Sequence, residues 1–205
     1  MRFLSLIVAL LFAAPVPAAP PPAWPLPAEL LMAADAASFA PPDLKRQLVK
    51  HRERLMAGVN DAAAAEKGTR DATAHRAAAA RGARQLAAAI RARRPFADVA
   101  YEAGGIVHEA ALAALLSAGP ADAAELARAA KAARFLGYTA QPFADPEALA
   151  ASVAPARGAA PREAYDAAVT AATRLLAWIW KTAGGDASIA TKYPEKAGPY
   201  AVRGD

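Results

Sequence analysis

Alanine is the residue this chain is built from, and that narrows its possible folds more than any motif does. The sequence is 56% hydrophobic, with alanine dominating that fraction, sparse β-branched residues and little glycine inside most apolar runs. Alanine is the best helix former but buries little area. A chain of 205 residues with this makeup is expected to be all-α, a single domain of about six to seven helices, and long enough to enclose a core. It contains no cysteine, so no disulfide forms and stability falls to helix packing.

Periodicity and punctuation place the helices. A short one is expected over about Ala28 to Phe39, after the extended "WPLP". A second begins in "APPDLKRQLVKHRERLMAGV", with proline in its first turn and Asp43 near its positive end. Leu44, Leu48, Leu55 and Val59 recur at helical spacing, widened by Met56, with lysines and arginines opposite. Gly58 and the following Asn60-Asp61 read as a weakening or break. A third helix is expected from about Thr69 to Arg93, and Pro95 separates it from a fourth. Gly119-Pro120 starts a fifth that stops at Gly137. A loop with one short helix leads to the strongest pattern in the chain, "REAYDAAVTAATRLLAWIWKTAGG". There Tyr165, Val169, Ala172, Leu176 and Trp180 form one stripe, widened by Leu175 and Ile179, and Gly184-Gly185 is a stop.

The first 23 residues have signal-peptide character: Arg2, an apolar run from Phe3 to Ala14, then a proline-rich break. Cleavage is expected after Ala18 or after Ala23, leaving a helical domain over 24–183 and an irregular tail over 184–205, which ends in Arg-Gly-Asp. The run is too short to span a bilayer as a helix, and no second hydrophobic span is evident. The expectation is an exported protein, periplasmic or secreted, with no transmembrane segment after cleavage. The net charge of +5 suits an anionic neighbour but is no nucleic-acid signature. Arg70, Arg81, Arg84 and Arg91 fall near one stripe of the third helix. They could attract anionic phospholipid or another phosphate-bearing ligand, or form the wet side of an alanine-rich helix. No aromatic residue interleaves with them to stack bases.

The fourth helix, "YEAGGIVHEAALAALL" in its central part, holds the most pointed feature. Gly104-Gly105 costs a helix roughly 1 kcal/mol per residue against alanine, so something requires close backbone approach, either a crossing helix or a ligand. Asp98, Glu102 and Glu109 share one side, with Phe96, Val99, Ala103, Val107 and Ala110 across from them. His108 lies between, on the flank with Tyr101 and Leu115. It is one of three histidines in the chain, and reads either as a packing residue or as what remains of a metal site.

Taken in order, the "AW" at 23–24, "FAPPDLKRQLVKHRERLMAGVND", and a helix with Gly104 four residues before His108 resemble the zinc-dependent phospholipase C family. That superfamily includes single-strand-specific nucleases, and the resemblance runs from Trp24 to about Trp180. It implies a helical fold, three zinc ions and phosphoric ester hydrolysis. It would make the Trp24 backbone a metal ligand if cleavage follows Ala23. Asp61, His75 and His108 stand at ligand positions, and Glu29 stands where the family has a histidine. The pattern then departs: Leu112 takes the place of an Asp, Leu116 of a Pro and Ala118 of a His, and no histidine follows His108.

A catalytic zinc needs three protein ligands and an open position for water. Two readings follow from the resemblance. The first is a phosphoesterase relative with little or no activity, without zinc, serving a binding or scaffold role. The second is a one-zinc phosphoester hydrolase acting on phospholipid or nucleic acid, with Asp61, His75 and His108 as ligands and Glu29 as base or extra ligand. Residue by residue, His75 reads equally as an exposed helix residue, Asp61 as a turn or cap, and His51 as solvated.

Overall fold

Eight helices and no strand make up the described part of the structure, a computed structural model that describes residues 23–68, 70–132 and 145–187. They are α1 (Leu26–Phe39), α2 (Pro42–Lys50), α3 (Arg52–Ala65), α4 (Ala72–Arg91), α5 (Phe96–Ala118), α6 (Ala123–Ala132), α7 (Pro146–Ala151) and α8 (Pro161–Thr182). The all-α expectation holds. Residues 1–22 of the expected 1–23 signal peptide, the end of the fifth expected helix at Gly137 and the Arg-Gly-Asp terminus lie outside the described residues.

α5 is the axle. At 23 residues it is about 35 Å long, and α3, α4, α8 and α1 all pack against it. Among the described residues it alone is long and apolar enough to cross a membrane, yet 72% of its most apolar window is buried inside the bundle. Its ends are set by Pro95 ahead of the first turn and by Gly119, whose φ of 109° is open to glycine and costly for other residues. α8 buries the predicted stripe: Tyr165, Val169, Ala172, Leu175, Leu176 and Ile179 are all in the core, with Trp180 packed at its edge. The α8 stop forms as expected. Gly184 takes φ 93°, and the Gly185 N–H donates to the Trp180 carbonyl at 2.8 Å.

Three boundaries differ from the sequence expectation. The second expected helix divides at His51, whose φ of −109° and ψ of 31° end α2 before α3 begins. Leu44 and Leu48 on one side and Leu55 and Val59 on the other all face the core, so a spacing argument reads straight through the bend. The break expected at Gly58 and Asn60-Asp61 is absent, and α3 runs through to Ala65. The next helix starts at Ala72, because the Asp71 carboxylate accepts the Ala74 N–H at 2.7 Å as an N-cap. Arg70 therefore precedes α4 and cannot share its arginine stripe.

The glycines of α5 face a crossing helix. A Cβ on Gly104 would stand 2.2 Å from the Leu55 carbonyl oxygen and 2.7 Å from the Val59 nitrogen. Gly58 mirrors it, since its Cβ would meet the Tyr101 carbonyl oxygen at 1.9 Å. Two glycines thus let α3 and α5 approach backbone to backbone. Gly105 is different, with nothing within 4 Å of a built Cβ. Gly104→Ala should therefore destabilise by about 2–4 kcal/mol, an overpacking cost against immovable backbone. Gly105→Ala should stabilise by about 0.5–1 kcal/mol through helix propensity. Urea unfolding of the two variants checks the pair; equal effects would remove the crossing argument.

Candidate functional site

The α3–α5 crossing sets what happens one turn further along. His108 follows Gly104 by one helical turn and is buried, at 2% exposure. Its Nδ1 lies 2.7 Å from Glu29 Oε2, and Glu29 on α1 is buried to the same degree. Which group donates in this bond depends on the imidazole tautomer; where the carboxylate is ionised it only accepts, and Nδ1 carries the proton. Nε2 of His108 is buried with no hydrogen-bond partner. Glu66 Oε2 lies 4.0 Å from it, beyond direct hydrogen bonding.

Glu66 begins a second string of contacts. It ends α3 as its C-cap and accepts the Gly68 N–H at 2.8 Å. Arg70 then donates to both neighbouring carboxylates: through Nη2 to Glu66 Oε2, and through Nη1 to Glu109 at 2.9 and 3.2 Å. Glu109 Oε2 also lies 2.7 Å from His75 Nδ1, and His75 on α4 is 1% exposed. Partial burial pushes the Glu66 carboxyl up, but the Gly68 N–H, Arg70 and His75 together outweigh it and hold it below the ordinary glutamate value. The result is a line of six side chains, Glu29, His108, Glu66, Arg70, Glu109 and His75, drawn from α1, α5, the α3–α4 connection and α4. Three carboxylates, one guanidinium and two imidazoles thus lie along one line, in which Arg70 is the one fixed positive charge.

The other expected site residues stand apart from one another. Asp61 accepts the Tyr101 hydroxyl at 2.7 Å on an exposed face, a contact that raises the tyrosine's pKa, and Arg54 lies 4.8 Å over the same ring. Trp24 is in the core, donating its indole N–H to the Ala111 carbonyl at 2.9 Å and meeting Tyr165 edge-on. Asp61, His75 and His108 do not come together: among the described residues no three His, Asp or Glu form a group that could hold a metal. Leu112 and Ala118, at the positions of absent ligands, are buried in the bundle. The donor set therefore does not fit a zinc ion. His108 Nε2 is one free donor where three are needed, and a guanidinium already bridges the nearest carboxylates.

The arginine surface is likewise divided. Arg70, itself exposed, pairs with Glu66 and Glu109, Arg84 pairs with Asp145, and Arg81 and Arg91 are exposed on α4. The exposed reading of His75 is overturned by its burial, and His51 proves to be the half-exposed hinge between α2 and α3.

Sequence reasoning missed Glu66, Glu109 and Asp35. Glu66 and Arg70 are four residues apart, a pairing distance, and Glu109 adjoins His108. Asp35 is a lone acid in the apolar "LLMAADAASF", itself a sign of burial. It accepts the Tyr165 hydroxyl at 2.6 Å in the core between α1 and α8. Near it, Asp166 has a buried Oδ1 with no hydrogen-bond partner. Burial, with Asp35 and Glu163 adding to it and Arg162 opposing, pushes the Asp166 carboxyl up to about 6. A raised folded-state pKa favours the protonated form, so the stability due to Asp166 is fully present below its unfolded value and is lost as pH rises through about 6. Asp166→Asn should accordingly be more stable than the native chain by about 1–2 kcal/mol near neutral pH, with the difference closing in acid. Denaturation across that range tests this, and a difference that grows in acid would contradict it.

No family model, curated protein or solved structure matches the chain.

Proposed function

We propose that this chain is an exported relative of the zinc-dependent phospholipase C family with little or no phosphoesterase activity, serving as a binding or scaffold protein outside the cytoplasm. In this reading a hydrogen-bonded set of side chains around Arg70 stands where the family has metal. One observation carries the reading: among the described residues Asp61, His75 and His108 do not come together, and the groups around them are bonded to one another. Glu29 holds His108, Glu109 holds His75, Tyr101 holds Asp61, and Arg70 is bonded to both Glu66 and Glu109. A guanidinium between two carboxylates supplies the positive charge a cation would, and it repels a dication.

A second reading, the one-zinc phosphoester hydrolase, is favoured by the free Nε2 of His108. It would require Arg70 to leave and Asp61 to give up Tyr101. A surface attraction of Arg81, Arg84 and Arg91 for anionic phospholipid is compatible with either reading and would weaken steeply with salt.

Zinc content of the purified full chain separates the two. The first reading expects no stoichiometric zinc, and an unfolding midpoint unmoved by chelator or by added zinc. About one zinc per chain, lost in a His75→Ala, His108→Ala double variant, would overturn it and call for a screen of phosphodiesters.

A further inference from the structure

The corner where α2 meets α3 has a surface that the polar cluster does not explain. The segment "KRQLVKHRER" turns Leu48 and Leu55 inward and leaves Val49 58% exposed at the bend. Its cations fall into two groups. Arg46 pairs with Asp43, and Arg54 lies over the Tyr101 ring. Lys45, Lys50 and Arg52 have no ion-pair partner among the described residues.

Beside them opens a cleft of about 390 Å³, floored by α1 and walled by α2 and α3. Leu31, Ala34, Val49 and Met56 supply its accessible apolar lining over the buried Leu48 and Leu55, and Lys45 and Arg52 are its cations. Its volume lies within the range of small-molecule sites, which combine an apolar wall with a few placed polar groups. Asp35 also borders it, but that carboxylate is buried and accepts the Tyr165 hydroxyl. It would repel an anion at depth and favour one at the Lys45–Arg52 side.

A small hydrophilic anion has no use for the apolar wall, and a neutral hydrocarbon has no use for two unpaired cations. No aromatic ring lines the cleft, so a nucleic-acid base would have nothing to stack on. A single alkyl chain ending in an anionic group satisfies both halves. We propose that the α1–α2–α3 cleft binds a long-chain fatty acid, with its chain against Leu31, Ala34, Val49 and Met56 and its carboxylate held by Lys45 and Arg52. The site is separate from the six-residue cluster, so this assignment stands or falls independently of the zinc question.

The test is calorimetric titration of the full chain with tetradecanoate below its micelle concentration, at low salt. The expected result is saturable binding of one molecule per chain. Tetradecanol should bind at least about tenfold more weakly, as should tetradecanoate to a Lys45→Glu, Arg52→Glu variant. Ala34→Leu, which fills the cleft from α1, should weaken binding by a similar factor with the charges intact; Ser38→Leu serves if that variant fails to fold. Three outcomes would overturn the proposal: no saturable binding, equal affinity for butanoate or inorganic phosphate, or binding lost with the charges but indifferent to both cleft-filling variants. The last would mark a surface that merely attracts anionic membranes.

Discussion

The contact between Glu29 and His108 is the one on which the arrangement of this protein depends. Both side chains are almost wholly buried, and removing a carboxylate from water costs several kcal/mol unless a partner repays it. The 2.7 Å bond to the imidazole is that repayment, and it can be made only if α1 lies at one register along α5. A second buried polar bond agrees on that register, Trp24 to the Ala111 carbonyl, and a third, Tyr165 to Asp35, fixes α1 against α8. Such anchors matter in an alanine-rich bundle. Small side chains form smooth interfaces that gain little from one alignment over another, whereas a buried acid in the wrong place is left unpaired.

The glycine crossing and the polar cluster are parts of one design. Because Gly58 and Gly104 bring α3 and α5 into backbone contact, the end of α3 arrives beside His108, and the short link to α4 places Arg70 between Glu66 and Glu109. His75 enters from the first turn of α4. With bulkier residues at the crossing, Glu66 could not reach this point, and the carboxylates of α5 would lack their guanidinium. The same proximity explains why most of the cluster is bonded within itself: Arg70 joins Glu66 to Glu109, Glu109 reaches His75 and Glu29 reaches His108, which leaves the buried Nε2 of His108 as its one orphaned atom.

Much of the scaffold was legible in the sequence. Alanine content and the Leu44–Val59 and Tyr165–Trp180 stripes specify helices and their buried faces, because the helical period is a local property. The same local character hides the bend at His51: a stripe with its leucines inward on both sides looks the same whether the axis is straight or turned. Gly104-Gly105 announced a close approach, but two adjacent glycines cannot say which of them makes it. The polar cluster was half legible. His108, Glu29 and His75 stood out by residue type, and all three are in it. Which acid meets which histidine depends on helices far apart in sequence, and Asp61, grouped with the histidines by resemblance, lies with Tyr101 instead. The pairing of Arg70 with Glu109 spans 39 residues and leaves no periodic trace, so Arg70 grouped with the α4 arginines in the sequence reading instead.

The central claim is that the buried acid and imidazole exist for each other. A double-mutant cycle on unfolding free energy, with Glu29→Gln, His108→Gln and the double variant, tests it most directly. Each single change should cost about 3–5 kcal/mol by stranding its partner. The double should cost at least about 1.5 kcal/mol less than their sum, the mark of direct coupling. Strictly additive losses would mean that the two groups act independently, and the account of this core would then be wrong.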